Sequence, residues 1–212
     1  MTSRALAPEE ITTFADAPAP PGCSPWVVEP RVEEIEIVDH DPAWEGRAAA
    51  LIDRVRAALG ERALAVDHVG STSVPGLPAK PIIDLDVTVA DSSDEASWLP
   101  PLEAAGFVLT VREPWWHEHR CLKPADRGAN IHVFSPDSPE LVRHALFRDW
   151  LRANEADRTL YAETKRLAAA EATARGEEMT AYNDRKSAVI REIYQRAFRA
   201  AGLLEGSVTP RG

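Results

Sequence analysis

The chain has 212 residues, with 24 Lys and Arg against 34 Asp and Glu and a formal net charge of −10. This length suffices for one domain with a substantial core. The acidic balance excludes a general nucleic-acid or membrane-surface binder, whose affinity rests on clustered Lys and Arg. Two cysteines, Cys23 and Cys121, give neither a disulfide framework nor a CxxC metal knuckle. No stretch approaches the ~18 consecutive apolar residues that cross a bilayer, so a soluble, cytoplasmic protein is expected.

Residues 1–30 are rich in Ala and Pro, including Pro18, Pro20, Pro21, Pro25 and Pro30. Without sustained periodicity they are expected to form a disordered leader. A single domain is expected over 31–204, with a flexible tail over 205–212. Val32 to Val38 alternates Glu with Ile or Val and reads as an edge strand. Asp41 is placed to cap a helix from Trp44 to Leu59, with Pro42 at its first position. Ala63 to Val69 reads as a short apolar strand, and Gly70-Ser71-Thr72-Ser73 as a turn. Ile83 to Val89 alternates apolar and polar residues and predicts a strand. A short helix from Trp98 to Ala105, interrupted at Pro100-Pro101, is followed by a strand from Phe107 to Val111. Arg120 to Lys123 and Asn130 to Phe134 then form a hairpin around Pro-Ala-Asp-Arg-Gly.

After Ser138, a candidate cap, the period becomes helical, with Leu141, Val142, Ala145, Leu146 and Trp150 on one face. Two further helices, Glu155 to Ala174 and Glu178 to Ala201, are separated by Gly176. In the last of them Tyr182, Lys186, Val189 and Ile193 share a stripe. Strands followed by helices give an α/β or α+β fold, a mixed sheet backed by C-terminal helices.

The chemistry concentrates between His68 and Val89. A strand over Ile83–Val89 puts Asp84, Asp86 and Thr88 on one face, with the two carboxylate-bearing Cα atoms about 6.6 Å apart. That spacing lets both side chains reach one hard cation or a pair of them. Asp is a poor strand former, and two of them in a strongly β-forming run make a local conflict of the kind found at functional sites. The Gly70–Ser73 turn can aim N–H groups and the hydroxyls of Ser71, Thr72 and Ser73 at a phosphate. Phosphoryl-transfer chemistry is therefore expected, although a solvated strand face beside an ordinary turn carries the same residues. A Walker-type P-loop is excluded, because Gly70 and Gly76 have the wrong separation and no Lys-Ser or Lys-Thr pair follows.

The segments DHDPAW, VDHVGSTSVPGLPAKPIIDLDVTV, HRCLKPADRGANIHVF and FRDWLRANEADRTLYAETKRLA, with the later AYNDRKSAVI, resemble the GrpB family over about residues 32–200. That family is similar to the nucleotidyltransferase superfold. The resemblance implies that Gly70 and Ser71 hold the phosphates of a nucleoside triphosphate such as ATP, and that Asp84 and Asp86 hold Mg²⁺. It implies a Mg²⁺-dependent transfer of the nucleotidyl group to a small acceptor. In one respect the chain departs from the superfold. Its active members carry a third carboxylate on a neighbouring strand, where Ala129 to Phe134 offers His132, a base or metal ligand less suited to Mg²⁺. The competing expectation is a non-catalytic nucleotide or small-ligand binding module on the same fold.

Arg120 and Lys123 are candidates for contacting phosphate or an acidic acceptor. Lys80, just before the aspartate strand, either reaches a phosphate or is solvated. Lys186, one helical turn from Tyr182, either frames the phosphates or snorkels beside a half-buried Tyr. His117-Glu118-His119 is expected in a surface loop, since it lacks the helical HExxH spacing. The absence of a Gly-x-Ser-x-Gly elbow argues against a Ser-His-Asp hydrolase built on Ser71 or Ser73.

Overall fold

The computed structural model describes residues 5–14, 19–29, 35–177 and 179–205. Its elements are α1 (Pro8–Thr12), α2 (Ala43–Leu59), β1 (Ala65–Val69), a 3-10 turn (Ser71–Ser73), β2 (Ile83–Thr88), α3 (Glu95–Ala104), β3 (Phe107–Glu113), β4 (His119–Pro124), β5 (Ala129–Phe134), α4 (Pro139–Ala153), α5 (Glu155–Arg175) and α6 (Met179–Ala200). The five strands form one mixed sheet in the order β1-β2-β5-β4-β3. Only β2 and β5 run parallel, and the other neighbours are antiparallel. This is the expected mixed α/β architecture, and among the described residues no helix is long and apolar enough to cross a membrane.

The alternation along β2 sorts the helices into two layers. Ile83, Leu85 and Val87 are fully buried and pack with Trp44, Val55 and Leu59 of α2 and Trp98 and Leu102 of α3. At ~1.5–3 kcal/mol for each large apolar side chain buried, this layer is the main source of stability. Asp84 and Asp86 point to the opposite face, which α4, α5 and α6 cover. There Val74 and Leu77, just after the turn, pack against Leu151, Tyr161 and Ile193.

Four expectations are corrected. Pro100 and Pro101 do not interrupt α3 but lie inside it. Trp98 and Leu102 are fully buried on either side of the pair, so apolar packing holds the helix across the two prolines. Ser138 occupies the cap position of α4, yet its hydroxyl makes no capping bond and is buried without a described partner. Of the edge strand expected over Val32–Val38, residues 32–34 lie outside the described residues, and Val38 makes only an isolated bridge to Ala79. Asp41 does cap α2, its Oδ1 accepting from the Ala43 N–H at 2.9 Å.

The leader supplies the fourth correction. Within residues 1–30, α1 docks on the C-terminal helices, with Ile11 6% exposed beside Tyr194 and Phe198. The Phe14 ring meets Tyr194 edge-on at 5.1 Å. Arg143, 1% exposed on α4, donates to the carbonyls of Glu10 at 2.8 Å, Ile11 at 2.7 Å and Thr13 at 2.5 Å. Farther on, Val27 donates to Thr110 O at 3.0 Å and Trp26 bridges Val111, along the outer edge of β3. Two apolar residues three apart in a Pro/Ala background are too few to register as a period.

Gly70 marks the closest approach between turn and sheet. It has φ +69° and ψ −172°, and a Cβ built there would lie 2.3 Å from Asp84 Oδ2. That region of φ/ψ is essentially restricted to Gly and costs other residues about 1–3 kcal/mol.

Two stability outcomes follow from this packing. Arg143→Ala should lower the unfolding free energy by about 3 kcal/mol, because buried Glu140 loses its guanidinium partner and three carbonyls lose their donor. The same change should open residues 5–14 to limited proteolysis, and unchanged protection would refute the docking role of Arg143. Gly70→Ala should destabilise by about 1–3 kcal/mol from backbone strain, with the contact to Asp84 adding to that. In an Asp84→Ala background the added part should vanish, so a double-mutant cycle by chemical denaturation with no coupling would show that the carboxylate does not impose the glycine.

Candidate functional site

Register builds the site from β2 and β5. Asp84 lies opposite Asn130, and Asp86 opposite His132, which in turn lies opposite Cys121 of β4. Paired residues share a face, so all five project toward α4–α6. A cavity of about 200 Å³ opens above Asp84, walled by the Gly70–Ser71 turn, the Lys80–Ile82 loop, α5 and α6.

Three lysines from separate elements enter this cavity: Lys80 from the loop before β2, Lys165 from α5 and Lys186 from α6. Each rests on an aromatic or soft atom. Lys186 Nζ lies 3.9 Å from the Tyr182 ring centroid, Lys165 Nζ 4.6 Å from that of Tyr161, and Lys80 Nζ 3.1 Å from Met179 Sδ. Lys165 also donates to the Pro78 carbonyl. Burial draws the Lys165 ammonium down to about 7, reinforced by the positive charges of Lys186 and Arg166. It draws Lys186 down to about 7 as well, reinforced by Lys80. Near neutral pH the pocket is thus crowded with cationic groups that a polyanion would relieve. Burial raises the Tyr161 phenol to about 12, so it stays a hydrogen-bonding group beside Ser71.

Asp84 is the carboxylate of the cavity wall. Its Oδ1 accepts from the Asn130 amide at 2.7 Å and lies 3.7 Å from His132 Nε2. Burial opposes its ionisation, but His132, Asn130 and Lys80 together hold it below the usual range. Asp86 is different: it is 2% exposed, and its two oxygens lie 3.1 and 2.9 Å from His144 Nδ1. Burial disfavours the His144 imidazolium, yet the Asp86 carboxylate outweighs it and raises the ring above its ordinary value. The two aspartates therefore do not converge. Among the described residues no group of three or more His, Cys, Asp or Glu side chains is arranged to hold a metal ion. Mg²⁺ demands near-octahedral oxygen ligation, which this donor set, as placed, does not fit.

Of the residues singled out in the sequence, Gly70, Ser71, Lys80, Asp84, Tyr182 and Lys186 meet at the cavity, and His132 adjoins it through Asp84. The others lie elsewhere. Thr72 Oγ1 donates to Ile82 O at 3.3 Å and meets His68 Nε2 at 3.0 Å, while Ser73 Oγ donates to Gly70 O at 2.6 Å. These hydroxyls hold the turn together and line a neighbouring cavity beside α2. Arg120 is on the wrong face: it pairs in register with Val133, one residue out of step with Cys121 and His132, and its Nε donates to Glu95 Oε1 at 2.5 Å. Lys123 shares the face of Cys121 but is not at the cavity wall.

His119 departs from the expected surface loop. His117 and Glu118 take positive φ, 54° and 48°, and the chain turns so that His119 is 5% exposed. Its Nδ1 meets Glu113 Oε2 at 2.8 Å and its Nε2 meets His132 Nδ1 at 3.0 Å. Sequence reasoning also missed Asn130, His144, Tyr161 and Lys165. For Lys165 a signal existed: Tyr161, Lys165, Ala168 and Ala172 form one buried stripe of α5, and a lysine on such a stripe is out of place unless something engages it.

Residues 34–196 match the family described as GrpB protein. A UPF0157 protein of Halalkalibacterium halodurans is 45% identical over 170 residues, covering 80% of this chain and 86% of that protein. A dephospho-CoA kinase of Mycolicibacterium paratuberculosis is 33% identical over 191 residues, covering 77% of this chain but 46% of the kinase, so the chain spans under half of that relative. Among solved structures, the crystal structure of conserved protein GrpB from Enterococcus faecalis superposes with a TM-score of 0.69 at 29% identity, covering 79% of this chain and 99% of that one. The matched stretch runs from before α2 into α6 and so contains the sheet, the turn and every wall of the cavity; the chain belongs to the GrpB family.

Proposed function

We propose that the chain binds a nucleotide, with a nucleoside triphosphate such as ATP as the type ligand, and that the cavity above Asp84 takes its phosphates. The observation that carries this reading is the convergence of Lys80, Lys165 and Lys186 on one cavity with a single carboxylate, Asp84, in its wall. Each ammonium has three donors and no acceptor, which suits phosphate oxygens. The Gly70–Ser71 turn lines the same cavity beside Asp84 and adds the Ser71 hydroxyl. The phosphoryl transfer named for the kinase relative is not part of this reading, because the chain has no Walker-type P-loop.

A second reading is nucleotidyl transfer from the bound triphosphate to a small acceptor. It is favoured by the placement of Asp84 beside Gly70 and Ser71 in one cavity wall, residues which the family resemblance assigns to metal and phosphates. Against it stand the Asp86–His144 pair and the amide of Asn130 beside Asp84. Incubation with labelled ATP, Mg²⁺ and a pool of small metabolites separates the two. Pyrophosphate release that disappears in Asp84→Asn makes the chain an enzyme, and binding without release makes it a non-catalytic module.

The binding reading has a quantitative test. Charge-assisted hydrogen bonds contribute about 1.5–3 kcal/mol. Lys165→Gln and Lys186→Gln should therefore each weaken ATP binding roughly 10- to 150-fold by calorimetry. Adenosine, lacking phosphates, should bind far more weakly than ATP. Affinity unchanged in both variants would overturn the assignment of the cavity.

The pH dependence has a defined sign. Lys80, Asp84, Tyr161, Lys165, Tyr182 and Lys186 face one another across the cavity, and two of the lysines titrate near 7 when it is empty of ligand. A bound polyanion raises those lysines, so binding takes up protons between the free and bound values. Affinity should be highest below pH 7 and fall as pH rises above it. An affinity that rises from pH 6.5 to 8.5 would contradict this.

A further inference from the structure

We propose that the cavity binds polyphosphate without a divalent cation, the protein's own cationic side chains standing in the metal's place. The inference rests on reading the cavity as a phosphate site, and it adds the form of ligand taken: the free polyanion rather than its Mg²⁺ complex.

Of the two aspartates that a metal would need, Asp86 is engaged by the protein through both oxygens and Asp84 through one. Asp86 has both oxygens within 3.1 Å of His144 Nδ1 and is buried away from solvent. His144 is in turn held from its other side by Glu140, whose Oε2 lies 3.7 Å from its Nε2. To ligate a cavity metal, Asp86 would have to leave this pair and abandon a buried imidazole. Asp84 has Oδ1 on the Asn130 amide, and its Oδ2 lies beside Gly70, the one further oxygen it could offer a cation. In register, the position opposite Asp84 on β5 is an amide and the next along that face is an imidazole, so β5 adds no anionic oxygen.

The electrostatics of the wall run the same way. A divalent cation entering this cavity meets three lysine side chains and one carboxylate, whereas a polyphosphate meets N–H donors of Lys80, Lys165 and Lys186. Like charge at short range and low dielectric disfavours the cation, and opposite charge favours the anion. Mg²⁺ complexed to the phosphates in solution would cancel part of the charge that the lysines recognise. The lysines and Mg²⁺ are therefore competitors for the same oxygens rather than partners.

The experiment is isothermal titration of the full chain with inorganic triphosphate, first in EDTA and then in excess Mg²⁺. Saturable one-to-one binding is expected in EDTA, with affinity reduced threefold or more by Mg²⁺. Lys186→Gln, checked for folding by circular dichroism, should lose at least tenfold in EDTA. Lys165→Gln serves if the first variant does not fold. Binding that appears only with Mg²⁺ would overturn the metal-free inference and leave the phosphate reading standing. An absence of binding in both buffers would overturn the phosphate reading itself, so the two failures are distinct. Binding in EDTA that both lysine variants retain in full would move the ligand away from this cavity and refute the inference.

Discussion

A central strand covered by helices on both faces cannot carry two carboxylates unless each is compensated, because burying an ionised group costs far more than burying an apolar one. β2 carries them at Asp84 and Asp86, and the polar layer of the protein is organised around that requirement. Asp86 is compensated by α4, through His144. Asp84 is compensated by β5, through Asn130 and His132, and faces the lysines that α5 and α6 bring over the sheet. Helix α4 is thus tied to the sheet by a polar group, while α5 and α6 bring Lys165 and Lys186 into the cavity bordered by Asp84. Polar pairing of this kind adds little net stability but fixes which helix lies over which carboxylate, since any other arrangement strands a buried charge.

The sheet was legible because period-two alternation is a strong signal when one layer is wholly apolar. Ile83, Leu85 and Val87 on one side and Asp84 and Asp86 on the other could be assigned to faces without knowing what covered either. The order of strands was not legible, and the fate of Asp86 depended on it. From one strand alone the two aspartates look equivalent, whereas α4 crosses over Asp86 and the cavity opens over Asp84. Arg120 failed as a site residue for a related reason. A one-residue offset in β4 decides between the site face and the core face, and the hairpin read from sequence fixed the strand but not which side met the helices.

Other misses come from signals too short to accumulate. Ile11 and Phe14 make a docking face from two residues, and the prolines around them hide it. His119 follows two residues in positive φ, a conformation no local pattern of Trp-Trp-His-Glu-His announces. Lys165 and Lys186 were the most recoverable members of the site, because each interrupts an apolar helical stripe. Lys186 was noticed for that reason. Lys165 lies on an alanine-rich stripe, where a long charged side chain breaks the pattern less visibly.

The proton count along the sheet face explains how Asp84 stays ionised despite partial burial. Only one proton can lie between His119 Nε2 and His132 Nδ1, 3.0 Å apart. Burial drives the His119 ring down to about 4, with Glu113 only partly offsetting it, so His119 is neutral near pH 7. A neutral His119 that donates its Nδ1–H to Glu113 leaves Nε2 as an acceptor, and His132 must then supply the shared proton from Nδ1. Burial also disfavours a charged His132, but the neighbouring Cys121 and Asp84 more than reverse this and hold the ring well above its ordinary value. With both nitrogens protonated, His132 faces Asp84 through Nε2. Glu113, His119, His132 and Asp84 then form one chain with every proton assigned, anionic at both ends and cationic at His132, behind the cavity-wall carboxylate. The carboxylate that borders the three lysines is therefore neutralised from behind by the sheet.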